Sequence, residues 1–213
     1  MLTLHDYFPS QNGYKVRLLL SHLGVAYRTR EVRIFDGEAR TADFLAMNPA
    51  GAVPVLELAD GACLAESNAI LCYLAAGSPY YATDPWPQAQ QLRWLFWEED
   101  AIQNGLASLR HWTLTGKLAR RTAEQIAARR ATSERSHAVL DAALRRSPFL
   151  TESGYSIADM SVFAYVSRAD EAGIPLAAHP AVADWVARVR SQPGFLDVVH
   201  PYHIDPSASR ELP

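Results

Sequence analysis

The sequence predicts an α/β domain followed by an all-helical domain, and three features carry this prediction. Short strand-like and helix-like segments alternate over residues 1–77. Three prolines within residues 78–88 indicate a linker. Over residues 89–213, apolar residues recur at helical spacing in one segment after another. Mixed elements followed by a run of helices are typical of two separate domains.

Four strands and three helices are expected in the first domain. Alternating or β-branched segments predict strands at residues 2–7, 26–33, 54–58 and 62–65. Helical spacing predicts helices that begin at Tyr14, near Ala42 and at Glu66. Asn12-Gly13 is a turn dipeptide, so we expect a turn before the first helix. The order of elements is βαβ followed by ββα, with a right-handed crossover in the first unit.

The second domain is expected to contain four main helices and one short helix. Their ranges are residues 88–112, 122–146 and 156–172, a segment around Val182–Val189, and Phe195–Val199. The third helix begins at Ser156-Ile-Ala-Asp159, which fits a capping box. The segment from residue 201 to residue 213 is polar and predicts no regular element.

Composition excludes several classes of function. The 213 residues carry a net charge of −3 and no long basic run, so no nucleic-acid partner is expected. No stretch approaches the roughly 18 apolar residues of a membrane helix, and the first residues lack a signal-peptide pattern. Cys63 and Cys72 form no CxxC motif, which favours a cytoplasmic location. The two cysteines and seven histidines show no metal-ligand spacing, so no metal is expected.

Three stretches of the first domain resemble the glutathione transferase superfamily. They are Pro9-Ser-Gln-Asn-Gly-Tyr-Lys-Val-Arg17, Met47-Asn-Pro-Ala-Gly-Ala-Val-Pro-Val55 and Leu64-Ala-Glu-Ser-Asn-Ala-Ile-Leu-Cys-Tyr-Leu74. The first is most similar to the bacterial and fungal branch with a Ser/Thr-x-Asn-Gly signature. The resemblance implies a thioredoxin-like first domain, an all-helical second domain, glutathione as co-substrate and a homodimer.

Glu66 and Ser67 stand where a strand gives way to a helix. A helix start offers unpaired N–H groups and a partial positive charge, which together attract a carboxylate. The resemblance implies that Ser67 holds the γ-glutamyl carboxylate of glutathione and that Glu66 pairs with the α-ammonium. The alternative is an ordinary helix N-cap with an acidic residue.

Val53, Pro54 and Arg40 are the other candidate binding residues. The resemblance implies a cis Val53–Pro54 bond and a Val53 backbone that pairs with the cysteinyl part of glutathione. The alternative is a trans proline at the start of an edge strand. Arg40 is a candidate for the glycine carboxylate, and a solvated surface arginine is an equal alternative.

Ser10 and Asn12 are the candidate catalytic residues, and Asn12 is also a candidate glutathione contact. A free thiol titrates near about 8.5, so a hydroxyl or amide donor that stabilises the thiolate activates it. The competing interpretation is a polar cap on the first helix. Tyr7 is the rival donor, because some branches of the superfamily use a tyrosine at the end of the first strand; it can equally be sheet packing.

The expected function is a glutathione transferase that directs the thiolate at a small hydrophobic electrophile or a disulfide, with peroxidase activity as a variant. Four residues are candidates to line the pocket for the second substrate: Trp94, Trp97, His111 and Trp112. Aromatic residues at this spacing are also common in helical cores. The alternative function is a non-catalytic adaptor of the same fold that binds a protein partner.

Overall fold

A computed structural model describes residues 1–198 and 200–208 of the chain. The chain divides into two compact units. The first unit contains residues 1–78 together with residues 193–201, and the second contains residues 79–192 together with the residues from Tyr202 onward. The chain therefore leaves the first unit at residue 78 and returns to it near its C-terminal end.

A four-stranded mixed sheet forms the centre of the first unit. Its strands are β1 (Leu2–Asp6), β2 (Tyr27–Glu31), β3 (Val55–Glu57) and β4 (Cys63–Ala65), in the spatial order β2-β1-β3-β4. β1 and β2 are parallel, and β3 is antiparallel to both β1 and β4. The helices of this unit are α1 (Gln11–Leu23), α2 (Ala42–Met47) and α3 (Ser67–Ala75). This arrangement confirms the predicted thioredoxin-like α/β fold.

Side-chain alternation along the strands divides the core of this unit between two faces of the sheet. One face is packed by residues of β1, β3, α1 and α3: Leu4, Leu56, Val16, Leu20 and Ile70. The other face is packed around Val55, Val32 and Phe44 of α2. Both faces of the sheet are therefore covered by packed residues. The ends of the strands are left as the place where a ligand can bind.

The predicted turn at Asn12-Gly13 is wrong, because α1 already begins at Gln11. Gly13 lies in the first turn of this helix, against the carboxyl group of Asp6 at the end of β1. A Cβ atom on Gly13 would stand 1.8 Å from Asp6 Oδ1. The glycine is therefore required by close packing rather than by a turn.

The second unit is helical, as predicted. Its main helices are α4 (Pro85–Trp97), α5 (Ser108–Leu114), α6 (Ala123–Leu144), α7 (Ile157–Val166) and α8 (Pro180–Arg190). A π-helical stretch, Glu98–Ala107, separates α4 from α5, where the sequence predicted one continuous helix. No helix in the described part of the chain is both long and apolar enough to cross a membrane.

The predicted capping box at the start of α7 is present. Ser156 and Asp159 exchange side-chain and backbone hydrogen bonds at this end of the helix. Asp159 also accepts hydrogen bonds from the Leu150 N–H at 3.0 Å and from Trp185 Nε1 at 2.9 Å. These donors leave the buried carboxylate well satisfied, so the box joins α7 to α8.

The predicted short helix at Phe195–Val199 is wrong for residues 195–198, which have no regular structure. Gly194 has a φ of 79°, and the carbonyl groups beside it are bonded to α1 instead of to a helix of their own. Ser21 Oγ donates to the Gly194 carbonyl at 2.8 Å, and the Tyr14 hydroxyl donates to the Leu196 carbonyl at 2.8 Å. Val199 and the end of the polar tail, residues 209–213, lie outside the described residues.

Candidate functional site

Three candidate segments meet at one end of the sheet because of the strand register. His5 pairs with Val55, which in turn pairs with Ala65. These pairings place the C-terminal end of β1, the N-terminal end of β3 and the C-terminal end of β4 together. The loop after β1, the residues before β3 and the start of α3 therefore share one end of the sheet, although they are distant in sequence.

Glu66 has an unusual backbone at the junction of β4 and α3. Its φ is 69° and its ψ is 110°, and in the described part of the chain it is the non-glycine residue with a positive φ. Such conformations cost about 1–3 kcal/mol and are concentrated at functional sites. An ordinary N-cap has extended dihedral angles and a side-chain hydrogen bond, and Glu66 has neither. The geometry therefore favours the ligand-binding interpretation over the simple cap.

Ser67 is the first residue of α3 and is almost completely buried, with 4% of its surface exposed. Its Oγ accepts a hydrogen bond from Lys15 Nζ at 3.3 Å. Lys15 lies on α1 and has no exposed surface. The ammonium of Lys15 therefore lies behind the serine of the predicted carboxylate site.

Lys15 is a site residue that the sequence motifs did not predict. Lys15 stands between Tyr14 and Val16 in α1, and it is one of only two lysines in the chain. That combination was the available signal. Its burial depends on α3, which no local pattern in α1 reveals.

The segment before β3 carries the predicted cis peptide bond between Val53 and Pro54. β3 begins at Val55, so Val53 lies outside the hydrogen-bonded ladder. Asn48, a buried residue not chosen from the sequence, braces this loop. Its Nδ2 donates to the Ala52 carbonyl at 2.8 Å, and its Oδ1 accepts from the Ala50 N–H at 3.1 Å.

Arg40 lies beside the same loop and is exposed. Its Nη1 donates to the Ala50 carbonyl at 3.0 Å. A guanidinium has five N–H donors, so this one bond leaves capacity for a carboxylate. Arg40 therefore braces the loop that leads to Val53, and its role with the glycine carboxylate stays a prediction.

Ser10 occupies the N-cap position of α1, but its side chain makes no cap hydrogen bond. Only 8% of its surface is exposed. Asn12 is half-buried in the first turn of α1. Since the defining bond of a serine cap is missing, the helix-cap interpretation of Ser10 loses its main support.

Tyr7, the rival donor, is buried with 2% of its surface exposed. Its ring packs edge-on against the ring of Phe35, with a centroid separation of 5.7 Å and an interplanar angle of 77°. This contact is typical of aromatic packing. The environment of Tyr7 thus favours the sheet-packing interpretation that the sequence left open.

A buried ion pair lies beneath the loop that carries Ser10. Arg17 Nε is 3.0 Å from Asp6 Oδ2, and Arg17 Nη2 donates to the Phe8 carbonyl at 2.5 Å. Burial raises the pKa of Asp6 to about 7, although the Arg17 guanidinium opposes this rise. The pair ties the end of β1 to α1 and fixes the start of the loop.

The four aromatic candidates of the helical unit are dispersed. Trp94, Trp97 and Trp112 line three different cavities of this unit. Trp94 is buried and meets Trp97 edge-on at 5.1 Å, while His111 contacts the ring of Tyr202. These contacts are those of core and surface packing, and they give the predicted second-substrate pocket no support.

Residues 9–76 match the N-terminal domain of glutathione S-transferases, and residues 123–188 match the C-terminal domain. The chain belongs to the glutathione S-transferase family. Among its relatives, the disulfide-bond oxidoreductase YfcG of Escherichia coli is 32% identical over 198 residues, which are 87% of this chain and 88% of YfcG. The family resemblance of the three N-terminal stretches is thereby confirmed.

Solved glutathione S-transferase structures share the fold of this chain. The glutathione S-transferase of Pseudomonas fluorescens is 37% identical, with a TM-score of 0.89 over 92% of this chain and 97% of that chain. Yeast Ure2p in complex with glutathione is 25% identical, with a TM-score of 0.81 over 91% of this chain and 95% of that chain. The second comparison shows that a protein of this fold binds glutathione.

Proposed function

We propose that this chain is a glutathione-dependent enzyme that binds glutathione at the end of the first unit's sheet and activates its thiol. The observation that carries the proposal is the junction at Glu66 and Ser67. A strained, uncapped residue there precedes a helix start whose serine is backed by a buried lysine. Backbone strain of this kind is concentrated at functional sites, and the start of a helix is suited to binding a carboxylate.

Each part of glutathione has a matching group in the proposed site. The γ-glutamyl carboxylate accepts hydrogen bonds from Ser67 and the first N–H groups of α3, and Glu66 pairs with the α-ammonium. The cysteinyl backbone pairs with Val53, like an added strand, before the bend at Pro54. The glycine carboxylate lies toward Arg40. This orientation directs the thiol to the loop of Ser10 and Asn12.

Ser10 and Asn12 supply the proposed activation. A hydroxyl hydrogen bond from Ser10 and an amide hydrogen bond from Asn12 stabilise the thiolate relative to the thiol, with the start of α1 adding a favourable dipole. Each unit by which the thiol pKa falls requires about 1.4 kcal/mol of such stabilisation. The thiolate then attacks an electrophilic carbon, or one sulfur of a disulfide with release of the other as a thiolate.

Disulfide reduction has specific support among these outcomes, because YfcG is named a disulfide-bond oxidoreductase. Conjugation of a small hydrophobic electrophile is the other reaction that the same thiolate performs. The proposed active form is a homodimer, the commonest closed assembly. No protein cysteine takes part, since Ser10 and Asn12 occupy the loop where a redox motif of this fold carries cysteines.

The competing proposal is an adaptor without glutathione chemistry. It is favoured by the likeness to Ure2p, one structure of which is a nitrogen regulation fragment. An adaptor has no need of a strained Glu66 above a buried lysine, so the enzyme is the stronger proposal.

Calorimetric titration with glutathione tests the binding site, and turnover separates the two functions. We expect saturable binding that is weakened by Glu66→Ala. Binding alone does not exclude an adaptor, because Ure2p also forms a complex with glutathione. Turnover is then measured with an electrophile and with a mixed disulfide, under matched glutathione concentrations. Binding without turnover of either substrate class would contradict the proposed catalysis.

A further inference from the structure

We propose that Lys15 is a positioning residue that selects for the γ-glutamyl carboxylate by orienting the Ser67 hydroxyl. This inference rests on the proposed binding of glutathione. It assigns a role to a buried side chain that never contacts the ligand itself.

The hydrogen bond between Lys15 and Ser67 has a fixed direction. An ammonium has three N–H donors and no acceptor, so Ser67 Oγ must be the acceptor in its 3.3 Å contact with Lys15 Nζ. The hydroxyl hydrogen of Ser67 is then left for a different acceptor. A ligand carboxylate bound by the first N–H groups of α3 is placed to accept it.

The positive charge of Lys15 also affects the site. Lys15 has no exposed surface, and Ser67 has almost none, so water screens the ammonium poorly. The cation therefore raises the electrostatic potential at the first turn of α3. A carboxylate bound by Ser67 gains from this potential, whereas a neutral group of the same shape does not.

The choice of lysine supports a specific role. Eighteen of the twenty basic residues of the chain are arginines, and lysine occurs only at positions 15 and 117. The guanidinium group of arginine is planar and forms bidentate hydrogen bonds, whereas the ammonium group of lysine is a compact point charge. A buried position beside a hydroxyl oxygen suits the compact charge, and a position needed only for packing suits an apolar residue.

Two analogues of glutathione separate carboxylate selection from general stability. Glutaryl-cysteinyl-glycine retains the carboxylate and lacks the α-ammonium, while 4-aminobutyryl-cysteinyl-glycine retains the ammonium and lacks the carboxylate. We expect Lys15→Met to weaken binding of glutathione and of the glutaryl analogue by about 10- to 100-fold. Binding of the aminobutyryl analogue should change by less than about 3-fold. An equal loss for all three ligands, or no loss, would overturn the proposal.

Lys117→Met is the matched control variant. Lys117 lies in the helical unit and pairs with Asp205 at 2.9 Å, so removing it deletes the other lysine charge without touching the proposed site. We expect this variant to bind all three ligands as the wild type does. Thermal unfolding of each variant reports whether the fold is retained.

A measurement on the wild type needs no substitution at Lys15. Labelling the lysine side-chain nitrogens gives two ammonium signals, which Lys117→Met assigns. We expect glutathione and the glutaryl analogue to shift the Lys15 signal and the aminobutyryl analogue to leave it unchanged, while the Lys117 signal stays constant. A Lys15 signal that does not shift when a ligand with the carboxylate binds would overturn the inference. A wild type that binds no glutathione overturns the proposed function instead.

Discussion

The two ends of the proposed site are built differently. At the γ-glutamyl end, strained Glu66, buried Ser67 and buried Lys15 join two helices at the end of the sheet. At the thiol end, Ser10 and Asn12 lie at the start of α1, and the Asp6–Arg17 ion pair lies beneath them. In the proposed function, glutathione binding therefore depends on backbone geometry and buried charge, whereas activation of its thiol depends on short side chains. Such side chains can change between relatives without altering the fold.

The largest predicted effect concerns the packing of α1 against the end of β1, beneath Ser10 and Asn12. Gly13→Ala places a Cβ atom on the Asp6 carboxyl group, which Arg17 holds in place. Overpacking of this kind costs about 3 kcal/mol or more in unfolding free energy. Urea unfolding measures the loss, and binding assays on any folded fraction show its effect on the site.

Gly24→Ala is the comparison for Gly13→Ala. Gly24 has a φ of 62°, but apart from its chain neighbours no atom of the described residues lies within 4 Å of an added Cβ atom. Its substitution should cost only about 1 kcal/mol, through backbone conformation. Equal losses for the two variants would show that the contact with Asp6 has no special importance.

The second prediction concerns pH and the Asp6–Arg17 pair. The pKa of Asp6 rises from an ordinary 3.8 to about 7 on folding because the carboxyl group is buried. Between these values the folded state holds a proton that the unfolded state has lost, so stability falls as pH rises. The stability of the wild type relative to Asp6→Asn should therefore decrease by about 2–4 kcal/mol from pH 4 to pH 7. Unfolding measured across this range checks the sign, and a relative stability that rises with pH would contradict it.

The third prediction separates the two ends by their effects on glutathione. Ser67→Ala should weaken glutathione binding about 10-fold, or roughly 1.4 kcal/mol, and leave the thiol pKa of bound glutathione unchanged. Ser10→Ala and Asn12→Ala should raise that pKa by about one unit each and alter affinity at low pH little. Thiolate absorbance as a function of pH measures the pKa, and calorimetry measures the affinity.

Tyr7→Phe is the control for the thiol pKa. It retains the ring that packs on Phe35 and removes only the hydroxyl. The thiol pKa should stay at the wild-type value. A rise in Tyr7→Phe with none in Ser10→Ala would transfer the catalytic role to the tyrosine.

The smallest expected effect belongs to Arg40→Ala. Arg40 is exposed and already bonded to the Ala50 carbonyl, so its contribution to a ligand carboxylate is screened by water. Glutathione affinity should fall by about 3-fold, or roughly 0.7 kcal/mol. γ-Glutamylcysteine, which lacks the glycine, should bind the variant and the wild type equally well. A loss with that ligand as well would show that Arg40 supports the loop rather than the glycine carboxylate.

Local patterns predicted the elements of the fold, and contacts between distant residues explain where they failed. Periodicity and turn residues placed α2 and the β3–β4 hairpin well, because these signals lie within each segment. Asn12-Gly13 has the composition of a turn, but the constraint on Gly13 comes from Asp6 on another element. The buried position of Lys15 likewise depends on α3.

The candidate site shows the same limit. Motifs identified Val53, Pro54, Glu66 and Ser67, and the strand register brings them to one end of the sheet. The sequence could not distinguish a helix cap from a ligand site at Ser10 or Glu66. Only backbone angles and missing cap bonds separate these interpretations. Trp94, Trp97 and Trp112 lie in one segment with helical spacing, but their surroundings in the structure differ. The spacing of residues in the sequence does not predict these surroundings.

The segment of residues 193–201 makes the first unit discontinuous in the sequence. Its carbonyl groups accept hydrogen bonds from Tyr14 and Ser21, and the ring of His200 stacks on Phe8 at 5.0 Å. During synthesis on the ribosome, these partners emerge only after residues 79–192 of the helical unit have been made. A nascent chain of residues 1–78 therefore carries an unfinished α1 surface, and a fragment that ends there should be less stable than the same unit in the complete protein. Supplying the later segment as a separate peptide offers a way to complement such a fragment.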